Sequence, residues 1–259
     1  MTYRLLALLL LAWQLPAAAQ SPEEKGLALA RAAEQKAAGW GDTRATMTMI
    51  LRDRSGKESV REIRSRALEV AGDGDKSLIV FDQPRDVAGT ALLTFAHKQG
   101  DDDRWLYLPA LKRVKRIAGS NQAGSFMGSE FAYEDLGSQE IEKYNHRWLR
   151  DETLNGLDCH VLERTPRDPN SGYTRQIAWM DTAELRLQKV EFYDRKNSLL
   201  KTLTVQGYKQ YAGRHWRPDQ LDMVNQQNGK STTLRFRDYQ FGTGLTDRDF
   251  DQNSLQNVR

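Results

Sequence analysis

The stretch "RATMTMILRD", residues 44–53, decides the fold. Ala45, Met47, Met49 and Leu51 fall on one side of an extended chain, and Arg44, Thr46 and Thr48 on the other. That period of two belongs to a half-buried β-strand and cannot line one face of a helix. Asp53 to Lys57 then supplies a glycine-containing turn, so a hairpin follows.

Working outward, similar runs recur at "KSLIVFDQP", "GTALLTFAH", "DRWLYLP", "GLDCHVLERT", "YTRQIAWMD", "LRLQKVEFYD", "LLKTLTVQGY", "RHWRPDQLDMVN" and "STTLRFRDYQ". Clusters such as Gly72-Asp73-Gly74-Asp75 and Asn228-Gly229 separate them. The gaps are too short for parallel crossovers, which makes sequence neighbours antiparallel neighbours. A sheet of about ten or eleven strands cannot stay flat, and the expected architecture is mainly β: a curled antiparallel sheet forming an incomplete barrel. On this reading Met47, Met49, Leu51, Leu93, Phe95, Leu106 and Leu108 crowd one inward face. Two interiors fit that pattern, a filled core and a hollow apolar cavity.

One helix precedes the sheet. Ser21-Pro22-Glu23-Glu24 offers an N-cap, a proline at the first helical position and a glutamate at the third. The alanine-rich continuation to about Ala38 carries Leu27, Ala30, Ala33 and Ala37 at helical spacing, so the helix should cover the open side of the sheet. Further upstream, Arg4, the apolar run Leu5–Leu15 and Pro16-Ala17-Ala18-Ala19 follow the order of a secretory signal peptide cut after Ala19. Residues 20–259 then form a single exported, periplasmic domain. Gln20 stands where a lipid-anchored protein would need cysteine.

The whole chain has 38 basic and 35 acidic residues, and loss of the leader removes Arg4 and no acid, leaving 37 against 35. That balance argues against nucleic acid and other generic polyanions as partners. A lone cysteine, Cys159, allows no internal disulfide, so stability rests on the core.

Enzyme signatures are missing from the sequence. Ser125 has Ala123 and Met127 where a nucleophile elbow needs glycines. His97, His146, His160 and His215 have no metal-ligand spacing, and there is no P-loop or dinucleotide fingerprint, so neither metal nor cofactor is expected. Cys159 and His160 are adjacent on a strand and point to opposite faces, which leaves Cys159 as a small buried thiol. Asp101-Asp102-Asp103 reads as a solvated turn. Glu130, Glu134 and Asp135 are the acids an enzyme reading would use.

The unusual segment is "YLPALKRVKRIAGSNQAGSFMGSEF", residues 107–131. Lys112, Arg113, Lys115 and Arg116 alternate with apolar residues, and a Gly/Ser-rich stretch then carries Phe126 and Met127. One reading displays Phe126 and Met127 at a cavity mouth or membrane, with the basic residues facing phosphate head groups. The other folds both inward as core and leaves a strand with an exposed basic face.

"DRWLYLPALKRVKRIAGSNQAGSFMGSEFAYEDL", "QIAWMDTAELRLQKVEFYDRKNSLLKTLTVQGY" and "RHWRPDQLDMVN" resemble the outer-membrane lipoprotein-sorting family of the LolA-like superfamily, and the likeness runs from about residue 40 to residue 250. The resemblance implies a non-enzymatic periplasmic carrier in which a half-barrel and helical lid shield acyl chains of a lipid or lipoprotein on the way to the outer membrane. It also implies an inner-membrane RND-type exporter as a partner. The "LPALKRVKRI" loop is an addition to the better-known, shorter lipoprotein chaperones, which points to free lipid as cargo. A rival reading is a periplasmic adaptor that docks an envelope export complex and carries no lipid.

Overall fold

The computed structural model describes residues 20–257, so the leader expected at 1–19 lies outside the described residues. Helix α1, Pro22–Ala37, begins at the expected capping box: the Ser21 hydroxyl accepts from Glu24 N, and the Glu24 carboxylate accepts from Ser21 N.

Strands follow in two series. The first contains β1 (Asp42–Arg52), β2 (Glu58–Leu68), β3 (Lys76–Gln83), β4 (Ala91–Phe95), β5 (Asp103–Leu108) and β6 (Arg113–Arg116). The second contains β7 (Tyr144–Leu154), β8 (Leu157–Pro166), β9 (Tyr173–Asp181), β10 (Leu187–Asp194) and β11 (Leu199–Gln206). A small hairpin, β12 (Lys209–Tyr211) and β13 (His215–Arg217), precedes β14 (Gln220–Asn225) and β15 (Ser231–Phe241).

All but the hairpin belong to one antiparallel sheet of 13 strands in the order β6-β5-β4-β3-β2-β1-β15-β14-β11-β10-β9-β8-β7. The sheet is mainly β as expected and is not closed, because β6 and β7 are its two edges. It has more strands than the quoted runs suggest. The basic segment supplies β6, and "RHWRPDQLDMVN" divides into β13 and β14.

The seam between the two series is the pairing of β1 with β15, in which Met49 faces Leu234 and Met47 faces Phe236. On the inner face, Met47, Met49, Ile63, Phe81, Leu106, Val190, Phe192, Met223 and Leu234 make one buried cluster, with Leu51 and Leu108 packed against it. Leu93 and Phe95 depart from the expected shared face. They lie on the outer face with Leu78, Val80 and Trp105, under Leu245, Phe250 and Leu255 of the C-terminal segment. The physical reason is that β3 and β4 are covered on both sides. Such strands read as continuous apolar runs, and alternation then carries no phase to mark the inner side.

The free edge at β7 is covered by α1. A Cβ on Gly26 would stand 2.6 Å from Trp148 N, so only glycine permits this approach of helix to strand. Covering an edge in this way blocks strand addition by other chains.

Candidate binding cavity

The gap between β6 and β7 is crossed by the segment that connects them, and that segment builds one end of the interior. Phe126 is 0 % exposed. Its ring lies 5.6 Å from that of Phe81 and 5.7 Å from that of Tyr133, with Phe131 and Ile117 buried in the same cluster. Met127 packs against that cluster, and its carbonyl accepts from Arg61 Nη1 at 2.6 Å. The inward reading of Phe126 and Met127 therefore describes the molecule. Fully burying one such aromatic stabilises the fold by about 2–3 kcal/mol.

The acids flanking this plug fasten it. Glu130 accepts from Asn225 Nδ2 at 2.7 Å, and its carbonyl accepts from Lys201 Nζ at 2.8 Å. Glu134 accepts from Ser171 Oγ at 2.7 Å and Gly172 N at 2.9 Å, while burial pushes its carboxyl pKa up. Asp135 accepts from Lys201 Nζ at 2.7 Å and from the Tyr173 hydroxyl at 2.8 Å. Each of these carboxylates is occupied by structural partners, which explains them without chemistry.

The basic residues stay outside. Lys112 closes the short 3₁₀ turn Pro109–Leu111, and Arg113 and Lys115 are exposed on the edge strand β6, with Arg116 paired to Asp103. Leu111, 62 % exposed, stands beside them. The aspartate run is less solvated than its composition suggests. Asp102, just before β5, is buried and pairs with Arg104 and Lys143. His97 bridges Asp73 at 2.8 Å and Asp103 at 3.4 Å, His146 Nε2 lies 3.0 Å from the Ile141 carbonyl, and His215 stacks on Phe241. Cys159 sits in an outer apolar cluster with Val161 and Trp179, whereas His160 meets Asp151.

The other end of the interior is open. A cavity of about 1030 Å³ lies between the C-terminal half of α1, the inner face of β8 and β9, and the β12–β13 hairpin. Leu162, Ala178, Met180, Trp40, Tyr208 and Trp216 contribute its apolar wall. Ala178 and Leu187 also belong to the inner cluster, so the cavity floor is continuous with the core. None of Met47, Met49, Leu51, Leu93, Phe95, Leu106 or Leu108 lines it. The alternation in the sequence points to an interior surface on the first series of strands, and the space lies against the second. The short hairpin with Trp216 was the available signal.

Charge inside this cavity is unusual. Burial raises the Asp75 carboxyl to about 6, and burial likewise raises Glu140. Arg164 and Arg217 line the same space with no carboxylate within ion-pairing distance among the described residues, and burial lowers the pKa of each. Arg217 donates to the Trp216 carbonyl at 2.9 Å and lies over the rings of Trp40 and Phe241. Among the described residues Glu34, Glu140 and Glu142 bring carboxylates together near the rim; Glu34 and Glu142 are exposed, and buried Glu140 accepts from Ser138 Oγ at 2.6 Å.

This architecture is shared. A family model described as "Uncharacterized protein" matches residues 73–257. A domain from Vibrio parahaemolyticus named for outer membrane lipoprotein sorting superposes with a TM-score of 0.89 at 56% identity, over 90% of this chain and 99% of that one. A DUF1329 family protein from Desulfovibrio piger gives a TM-score of 0.85 at 30% identity, over 91% of this chain and 99% of that one. A LolA superfamily protein from Nitrosomonas europaea shares the fold, with a TM-score of 0.70 at 20% identity over 88% of this chain and 98% of that one. No curated protein matches the sequence. A half-open sheet under an N-terminal helix, shared over 90% of this chain with a 56% identical domain named for outer membrane lipoprotein sorting, places the chain in the outer-membrane lipoprotein-sorting family, with the fold that the LolA superfamily protein also has.

Proposed function

We propose that this protein is a periplasmic, non-enzymatic carrier that shields the acyl chain of a lipid or lipoprotein for transfer toward the outer membrane. The observation that carries the reading is the cavity of about 1030 Å³ beneath α1, which is floored by core side chains and open to one side. Cavities of this size accept amphiphiles. Each methylene removed from water contributes about 0.8 kcal/mol, so a dozen carbons gain on the order of 10 kcal/mol. Release on that scale needs a receiving site, which fits handover from an inner-membrane exporter of the RND type to an acceptor. Lys112, Arg113 and Lys115, with Leu111 beside them, form the surface that meets anionic head groups during handover. The family's sorting role and the leader read in the sequence agree with this assignment.

The test is mass spectrometry of an organic extract from protein exported to the periplasm and purified without detergent. A near-stoichiometric lipid or acylated peptide supports the carrier. A clean extract that stays clean after incubation with envelope lipids refutes it.

A second reading is an adaptor that docks an envelope export complex through the basic edge. The exposed strand β6 favours it, since an unpaired edge can accept a partner strand. This reading requires a captured partner and no lipid.

A further inference from the structure

We infer that the cavity contains an anion-binding position at Arg164, and that the cargo is an amphiphile carrying a carboxylate or phosphate. The inference rests on the carrier reading and specifies the chemistry of what is carried.

Arg164 stands on the inner face of β8, paired across the ladder with Gln176 of β9. Its Nη2 donates to Gln176 Oε1 at 2.6 Å, its guanidinium lies 5.5 Å from the centre of the Tyr144 ring, and its Nε is shielded from solvent with no hydrogen-bond partner. The carboxylate acting on it through space, Asp135, is already taken by Lys201, Tyr173 and Ala132 N. A guanidinium keeps its charge wherever it is placed, so a half-buried one whose Nε is cut off from solvent and which has no counter-ion is a standing cost to the fold. Replacement of such a group by an apolar one is commonly neutral or stabilising. A group that costs stability yet faces a binding cavity is the kind of group a ligand's charge completes.

The arrangement also gives a direction for the tail. The next pair along the same face of the ladder is Leu162 with Ala178, and the one after it brings in Met180, all three on the cavity wall. An anion seated at Arg164 would run its chain along these side chains toward Trp216. The planar fork of arginine matches both carboxylate and phosphate, and charged hydrogen bonds of this type are about twice as strong as neutral ones.

The experiment measures displacement of a fluorescent acyl probe from the mature protein by chain-matched pairs: a fatty acid against its methyl ester, and a phosphatidic acid against the diacylglycerol. The wild-type protein should prefer the acid of at least one pair by about tenfold or more, equivalent to about 1.4 kcal/mol. Which pair shows the preference identifies the head group, and excess inorganic phosphate alone should not displace the probe. Arg164→Met should erase the preference, bringing each acid to the affinity of its neutral partner in the same variant. Arg164→Lys should keep part of it. Equal binding of acids and neutral partners by the wild-type protein overturns the anion position while the carrier stands, and needs no variant to fold. Displacement by phosphate alone makes it a free-anion site and overturns the amphiphile assignment. Failure of every acyl compound to bind overturns the carrier reading as well.

Discussion

The two ends of the concave interior share one sheet and one alternation of side chains, yet they are finished in opposite ways. At the plug end, Phe126 and Phe131 are packed into the core, a solvent-facing groove of about 780 Å³ lies beside Phe131 and Lys201, and the nearby carboxylates meet donors, as Asp135 does with Lys201 and Tyr173. At the cavity end the space under α1 is left open, burial raises Asp75 to about 6, and Arg164 and Arg217 have no carboxylate within ion-pairing distance among the described residues. Packed apolar density and paired charge are what a fold needs for stability. Open space and uncompensated charge lower stability, and their presence at this end is what the proposed cargo site would account for.

That contrast predicts unequal responses to substitution. The largest effect is expected at the plug, where Phe126→Ala should cost about 3–5 kcal/mol in urea unfolding because the residue is enclosed on all sides. A loss under about 1 kcal/mol would mean that the plug is an ornament on a sheet stable without it. Next, Lys201→Met should cost about 3 kcal/mol, since Asp135 would remain buried without its cation. Lys201→Met together with Asp135→Leu should recover much of that loss; no recovery would show that the pair does not act as a unit.

A smaller effect of opposite sign is expected at Asp75. Burial raises its pKa above the unfolded value, so the folded chain holds the proton more tightly. Its contribution is therefore favourable in acid and is lost as pH rises through about 6. Asp75→Asn should be more stable than the wild type at about pH 7.5 by on the order of 2 kcal/mol, with the gap closing near pH 4. A gap independent of pH would remove the carboxyl's titration as the cause. The smallest stability effect belongs to the exposed edge: Arg113→Glu with Lys115→Glu should change unfolding by less than about 0.5 kcal/mol. The same pair should abolish binding to anionic vesicles, and unchanged vesicle binding would take the basic edge out of the transfer surface.

The sequence conveyed the architecture through features that are local. The capping box at Ser21 and Glu24 and the alternation through Met47, Met49 and Leu51 each depend on neighbours a few residues away, and each appears where expected. The faces of β3 and β4 were hidden because their outer side is covered by Leu245, Phe250 and Leu255, more than 140 residues later in the chain. Phe126 misled for a related reason. Glycine and serine around it suggest a free loop, whereas the segment is held inward by hydrogen bonds to Tyr173 of β9, Lys201 of β11 and Asn225 of β14. The cavity itself is a volume left between α1, β8, β9 and a hairpin, and no local pattern encodes a space that no side chain fills.

The most direct measurement is a crystal structure of the mature protein bound to an acyl compound brominated along its chain, with the bromine located by anomalous scattering. Bromine is expected against Leu162, Ala178 and Met180, between α1 and the β12–β13 hairpin. Bromine among Phe81, Phe126 and Met49, or only at the exposed edge beside Leu111, would contradict it.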